Sequence, residues 1–466
     1  MEGDMVEFEG MVETEGFRKL TKEAETEGGW RETGGTGGGV DNKKGVVPGN
    51  EDLDFRKQIS PELDEETKKL VKALGRFVDV FAKGNEPLGM CNMAEHEIPL
   101  VPNTKPVYQS LGSGAYKEQL IHRELMSKMK AIGAIEVSFG LWGARVLLAQ
   151  KKDGTWRFCV DYRLLNALTV NSVYPMPSID GTLARLHGAK IFSIMDLECG
   201  YWQIPIKKED RVKTAFITAD GVFQFICMPF GLCTAPSTFQ RTMDLVLGGL
   251  RWSVCLVYLD DIIVYARNTE EHRQRLVMVL SALRKANLKL KLAKCRFAEK
   301  EITALGHRIN AEGVRPDPDK VRAVKEFPGL PTSGKRADLV KWVKSFLGLV
   351  SYYRRFFPGF AEVAKPLMDL TKDKTLFIWG ASHQKSFDEL KERLANAAVL
   401  AYPDYSLEFE IHPDACGYGV GAVLVQRQMG EERPLAFASR IMMASERNYS
   451  ITEKECLALV WAVKKF

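Results

Sequence analysis

The sequence predicts an α+β fold divided into more than one compact unit, and three observations lead there. Between residues 146 and 310, short β-rich runs alternate with turn residues and a few helical stretches. Beyond Pro316, apolar residues recur at steps of three and four, which is the period of a helix face. From residue 406 alternation returns ahead of one more capped helix. With 466 residues, 45% hydrophobic and 10% aromatic, the chain carries enough apolar material to fill several cores.

Taken in order, residues 1–50 join clustered acids to "GGTGGGVDNKKGVVPGN", a composition that buries too little surface to offset its ordering entropy, and a disordered leader is expected. Residues 51–105 read as a linker with one helix, in which Ser60 caps, Pro61 occupies the first turn, and Leu70, Leu74, Phe77 and Val80 fall on one face. A second amphipathic helix is expected over 114–132. "KKDGTWRFCVDYRLLN" places an Asp153-Gly154 turn between two strand-like runs. "LKLKLAKCRF" sets Leu288, Leu290 and Leu292 against Lys289 and Lys291 and reads as a strand with one basic face. Leu339, Val343, Phe346, Val350, Tyr353 and Phe357 form a helical packing stripe, and Phe387, Leu390 and Leu394 point inward from a helix over 382–398. "LEFEIHPDACGYGVGAVLVQ" suits a hairpin, and Ser450 with Glu453 forms a capping box before a helix that reaches Phe466, so the last unit reads as cut short.

The formal charge of +5 is uneven: the first 30 residues carry nine acids against Arg18, Lys19 and Lys22, which leaves +11 on the remainder and favours a polyanionic partner. Nine cysteines are scattered without zinc-finger or redox spacing and read as reduced thiols. No apolar run reaches the roughly 18 residues that span a bilayer, so an intracellular protein without a membrane partner is expected, cytoplasmic and particle-associated or nuclear.

The chemistry concentrates in "CLVYLDDIIVYA", residues 255–266, where Asp260 and Asp261 interrupt a run otherwise destined for burial. A tight hairpin would present both carboxylates at the end of a sheet, and unpaired charges there call for a cation. "KIFSIMDLECGYWQIPI" repeats the theme, with Asp196 ending a second apolar run. Hard oxygen ligands from two neighbouring strands suit a pair of Mg²⁺ ions, with Mn²⁺ as substitute, for in-line phosphoryl transfer.

On these motifs and their order, residues 85–466 resemble the reverse transcriptase of Gypsy-type long-terminal-repeat retrotransposons, with a partial ribonuclease H domain following. The resemblance implies a right-hand polymerase: fingers and palm over 106–315, thumb and helical connection over 316–400, and a truncated RNase H-like α/β domain over 401–466. It casts Asp196 and Asp260 as the shared metal ligands, with Asp261 beside them, and Tyr201 as the ring that rejects a 2′-hydroxyl. Lys151, Lys152 and Arg157 become triphosphate partners from the fingers. In "MPFGLCTAPSTFQR", Phe230 and Gly231 form the floor of the nucleotide pocket and Gln240 faces the template. Lys294 matches a lysine cast as general acid, "LGH" at 305–307 the primer-grip turn, and Arg354 with Arg355 a hold on the duplex backbone. Asp414 and Glu455 match two RNase H carboxylates; the other two of that site fall past Phe466, so RNA-strand cleavage is not expected. Arg145 and Gln150 depart from the family's usual proline and lysine in the fingers.

The expected partners are an RNA template, a DNA primer, RNA/DNA hybrid and deoxynucleoside triphosphates. Three functions compete: an RNA- and DNA-directed DNA polymerase, a decayed copy that binds nucleic acid without polymerising, and a metal-dependent nuclease. The last has no use for a sugar-selecting Tyr201 or a triphosphate-gripping Arg157.

Overall fold

The computed structural model describes residues 55–59, 64–83, 88–110, 116–150, 154–331, 333–373 and 375–466. The acidic leader, Ser60 and Pro61, and Lys151 to Asp153 lie outside them. Contacts divide the chain into two units, one ending its two segments at Ser178 and Glu299, the other formed by Ile179–Lys190 and Lys300–Phe466.

In the first unit, helix α1 (Asp64–Gly75) buries Leu70 and Leu74, and Phe77 and Val80 continue its apolar face past the helix end. Helix α2 (Tyr116–Ala131) follows, then strands β1 (Ile135–Val137), β2 (Ala144–Gln150) and β3 (Trp156–Val160). After β4 (Ile191–Asp196) come β5 (Phe216–Thr218), β6 (Gly221–Phe225), helix α3 (Ala235–Leu247), β7 (Cys255–Tyr258), β8 (Asp261–Ala266), helix α4 (Thr269–Lys285) and β9 (Arg296–Glu299). They make a five-stranded sheet in the order β1-β6-β5-β2-β3 and a four-stranded sheet in the order β7-β8-β4-β9. The expected hairpin joins β2 to β3 with Ala149 opposite Arg157, and Gly154 supplies a φ of +80°. Ile262, Ile263 and Val264 are all buried, so β8 has no solvent face, and that is why its sequence reads as an unbroken apolar run.

The strand expected over 288–292 does not form. Leu290 makes single bridges to Phe81 and Leu197, and Leu292–Lys294 turns into a 3₁₀ helix. The lysines on its basic side are engaged within the protein: Lys289 donates to the Asp79 carbonyl and Lys291 pairs with Glu198 at 2.9 Å.

Two buried histidines tie the helices to this scaffold. His272 on α4 shares a 3.0 Å hydrogen bond with Ser193 of β4, and His96 Nδ1 lies 2.9 Å from the Thr238 hydroxyl of α3. Burial holds both neutral, pushing His96 down to about 4 and His272 to about 3. The folded pKa of each lies below the unfolded value, so the unfolded state binds more protons below about pH 6.5 and stability falls as pH drops through that point. At pH 5 each histidine is expected to cost about 2 kcal/mol. Urea unfolding at pH 7.5 and pH 5 measures this, and a His272→Gln variant should show a shallower acid slope.

The second unit opens with the sheet β10 (Glu301–Ala304), β11 (His307–Asn310) and β12 (Gly313–Pro316). Leu305 and Gly306 turn between the first two with φ of +52° and +70°, a pair suited to a two-residue hairpin. The Tyr352 and Tyr353 hydroxyls donate to their carbonyls at 2.8 and 2.7 Å. Helices α5 (Pro318–Lys325), α6 (Arg336–Ser351), α7 (Phe360–Leu370) and α8 (Ala381–Ala395) follow. Val343, Phe346, Val350, Tyr353 and Phe357 of the expected stripe are buried, as are Phe387, Leu390 and Leu394 of α8. Arg355 is committed inside this unit, pairing with Asp180 and donating to the Leu435 carbonyl, whereas Arg354 stays exposed. The last sheet, β13 (Glu410–Ala415), β14 (Gly419–Gln428) and β15 (Glu431–Ile441), carries helix α9 (Ile451–Lys465). The capping box forms as read: the Ser450 amide donates to Glu453 Oε2 at 2.7 Å and the Glu453 amide to Ser450 Oγ at 3.3 Å.

Candidate active site

The four-stranded sheet ends in carboxylates because three of its strands meet there. Along the antiparallel β4–β8 ladder, Asp196 stands directly opposite Asp261. Directly paired residues project from the same face of a sheet with Cβ atoms about 5 Å apart. On the other side Tyr258 pairs with Asp261, which leaves Leu259 and Asp260 as a two-residue turn. The three aspartates singled out in the sequence are thus gathered at one sheet edge.

Their electrostatics are those of a site short of positive charge. Asp260 Oδ1 is buried and has no hydrogen-bond partner. Burial, then the charges of Asp196 and Asp261, push the Asp260 carboxyl up to about 6. Among the described residues Asp196 pairs with Lys294, whose Nζ lies 2.9 Å from its Oδ2. Room for Asp260 comes from Gly200: a Cβ there would stand 3.1 Å from Asp260 Oδ1 and 3.1 Å from the Phe239 ring. Nothing in the sequence flagged this glycine beyond its place in the motif.

Beside the carboxylates, Tyr201 stacks on Phe230 with ring centroids 4.9 Å apart and planes 18° apart, and packs against Phe239 at 5.1 Å. Burial and the nearby Asp260 charge raise the Tyr201 hydroxyl to about 12, so it stays protonated. Phe230 is 48% exposed and forms the open side of this aromatic pair. Gly231 follows at a φ of +97°, and a Cβ there would meet the Val160 carbonyl at 3.4 Å. The loop is fixed from behind by Asn166, whose amide donates to the Gly231 carbonyl at 2.8 Å and accepts from the Cys233 amide at 2.9 Å.

Gln240 is not placed as the sequence suggested. It is fully buried, and its Oε1 accepts a 2.9 Å hydrogen bond from the Leu259 amide, so it meets the aspartate turn and presents nothing to a template. The expectation failed because the motif fixes only the helix; which face of α3 packs inward depends on β7 and β8. Gln203 was missed outright. Buried completely, it donates to the carbonyls of Glu198 and Lys289 at 2.7 and 2.8 Å and accepts from the Lys289 amide at 2.7 Å, tying the segment after Asp196 to the chain before Lys294. Arg157 lies exposed on β3, and Lys151 and Lys152 lie outside the described residues.

In the second unit, Asp414 lies on β13 and Glu455 on α9. Ala415 and Val420 pair across β13 and β14 on the face that packs against Leu457, Ala458 and Trp461 of α9. Alternation turns Asp414 to the opposite face, where it lines a groove with Glu362 and Ser439, while Glu455 is exposed on α9.

Comparisons with known proteins bear on the family and the fold. Residues 149–309 match the family of reverse transcriptases (RNA-dependent DNA polymerases), and residues 379–466 match the RNase H-like domain found in reverse transcriptase. The Drosophila melanogaster retrovirus-related Pol polyprotein from transposon 297 is 36% identical over 89% of this chain, and that from transposon gypsy 34% identical over 86%. The chain spans 39% of the length of each of these two relatives. The solved foamy viral protease-reverse transcriptase in complex with dsDNA superposes with a TM-score of 0.78, covering 88% of this chain and 85% of that one at 24% identity, which establishes a shared fold. With the aspartate-bearing strands inside the matched region, the chain belongs to the reverse transcriptases of Gypsy-type long-terminal-repeat retrotransposons.

Proposed function

We propose that this chain is an RNA-directed and DNA-directed DNA polymerase that extends a DNA primer with deoxynucleotides. The observation that carries the reading is the convergence of Asp196, Asp260 and Asp261 at one sheet edge with a buried, unpartnered carboxylate oxygen among them. Members of this family work with divalent metal ions, and the donor set here fits: hard oxygens, excess negative charge and one orphaned atom. Among the described residues no three His, Cys, Asp or Glu side chains close on a single point. Mg²⁺ suits such an open site, since it commonly takes one or two protein carboxylates and completes its shell with phosphate and water. Asp196 and Asp260 would hold two Mg²⁺ ions, or Mn²⁺ in their place, with Asp261 beside them. Bound there, the ions would activate the primer 3′-hydroxyl and stabilise charge on the α-phosphate.

The remaining roles belong to the chain's own groups. Tyr201, braced by Phe230 and Phe239, would lie under the sugar and exclude a 2′-hydroxyl. Gly231 would let the backbone approach the nucleotide closely. Arg157, with Lys151 and Lys152, would grip the triphosphate, Arg157 in bidentate fashion. Lys294 would remain the counter-ion of Asp196 until the ions arrive. Template, primer and hybrid would be held chiefly through their phosphates, without sequence preference. The working division is fingers and palm over 106–315, thumb and connection over 316–400, and the RNase H-like portion over 401–466. No described helix is long and apolar enough to cross a membrane. The site of action in this reading is intracellular, in a cytoplasmic particle or the nucleus, and the likeness to retrotransposon polyproteins supports it.

Primer extension on an RNA oligonucleotide with Mg²⁺ and the four deoxynucleotides tests the reading. Incorporation is expected. Tight binding of the primed template with no incorporation would favour the decayed copy instead. Gly200→Ala should slow incorporation by at least about tenfold, because its methyl group would press on both Asp260 and Phe239; an unaltered rate would count against Asp260 as drawn.

A further inference from the structure

Gln240 lies within α3 with no exposed surface. A buried amide must find partners for both its oxygen and its NH₂ group. Its oxygen takes the Leu259 amide at 2.9 Å, and its Nε2 donates to Asp244 Oδ1, one turn further along α3, at 3.0 Å. The orientation is dictated by chemistry: a backbone N–H can meet only the oxygen, and a carboxylate can meet only the NH₂. Asp244 is anchored in turn, its Oδ2 accepting from the Tyr174 hydroxyl and from Arg251 Nη1, each at 2.6 Å.

The far end of this chain of bonds is the strained point of the catalytic turn. Leu259 adopts a φ of +51°, a region that bulky residues other than glycine seldom occupy. Such a conformation persists only where the surroundings over-determine it. Leu259 immediately precedes Asp260, so any relaxation of its backbone moves that carboxylate.

We propose that Gln240, backed by Asp244, Tyr174 and Arg251, is a positioning relay that pins the Leu259–Asp260 turn from inside the fold and so sets where the Asp260 carboxylate stands during nucleotide transfer. The link to catalysis rests on the polymerase reading; the pinning does not. The relay needs an acceptor toward Leu259 and a donor toward Asp244 from one side chain. Glutamate has the same shape but would face a second carboxylate, while asparagine is one methylene too short to reach.

Two variants of the full chain test this: Gln240→Glu alone, and Gln240→Glu combined with Asp244→Asn. In the paired variant the asparagine amide at 244 can donate to the glutamate at 240, while its oxygen still accepts from Tyr174 and Arg251, so every bond is restored with the charge moved by one step. Two quantities are read: the single-turnover rate at saturating nucleotide, and hydrogen–deuterium exchange of the peptide covering 255–266. The single variant should incorporate at least about tenfold more slowly and exchange faster at the turn, with primer–template affinity within about twofold of the unmodified chain. The paired variant should recover most of both losses. If the single variant does not fold, a paired variant that folds and exchanges like the unmodified chain gives the same support. Unchanged exchange in the single variant, or a paired variant no better than the single, overturns the relay, as does a loss confined to template affinity. Were the unmodified chain to incorporate nothing, the polymerase reading would fail while the exchange measurement still decided the relay.

Discussion

Replacing Asp260 by asparagine is expected to lower primer extension by about a thousandfold or more while making the metal-free protein more stable. The two effects have one cause. The amide keeps the shape of the side chain but removes the charge that a divalent ion would need. It also removes the charge whose burial, with repulsion from Asp196 and Asp261, lifts the Asp260 carboxyl to about 6. For an acid whose folded pKa is raised, the native state binds more protons than the unfolded one between about pH 4 and pH 6, so stability falls as pH rises through that window and stays lower above it. Asparagine escapes this loss, a gain of about 2 kcal/mol at pH 7.5 and a melting temperature a few degrees higher in chelator. Mg²⁺ should narrow the difference by binding the unmodified chain. An active or destabilised Asp260→Asn protein would mean that the turn aspartate is an ordinary surface acid.

The second large effect belongs to Tyr201. Its ring has little freedom, stacked on Phe230 at 4.9 Å and held by Phe239 at 5.1 Å. A fixed ring can reject one extra hydroxyl on the sugar by contact alone. Tyr201→Ala should therefore reduce the preference for deoxynucleotides over ribonucleotides by on the order of 100-fold, with deoxynucleotide kcat/KM falling by no more than about tenfold. Tyr201→Phe should keep the preference, since the hydroxyl adds no bulk where the sugar would lie. Competition between the two nucleotides on one primed template measures the ratio. Equal selectivity in the alanine variant would remove Tyr201 from the sugar pocket.

The aspartates were legible because their signal is local. A run such as "CLVYLDDIIVYA" carries both its burial and its interruption within twelve residues, and the β4–β8 register then follows from two apolar strands with acids at matching ends. The helix stripes and the Ser450 capping box were legible for the same reason. Gln240 was not, because its partner lies 19 residues away on another element, and helical position alone does not say which neighbour a polar side chain will find. The alternation at 288–292 misled because it is real in sequence but unsupported in space: Leu290 finds Phe81 and Leu197 for single bridges, and no continuous partner strand runs alongside. The placement of Asp414 on the sheet face away from α9 was not legible, because it depends on Val420 and Met442 meeting Ala458 of α9, a packing between separate elements that no local stretch of sequence records.

Mn²⁺ binding, counted by electron paramagnetic resonance in the presence of primed template and a non-hydrolysable deoxynucleotide, addresses the shared ion pair most directly. Two tightly held ions per unmodified chain are expected, with Asp196→Asn, Asp260→Asn and the double variant all losing the same tight binding, because the two side chains serve one centre. Full occupancy in either single variant, or losses that simply add in the double, would show that these carboxylates do not share an ion pair.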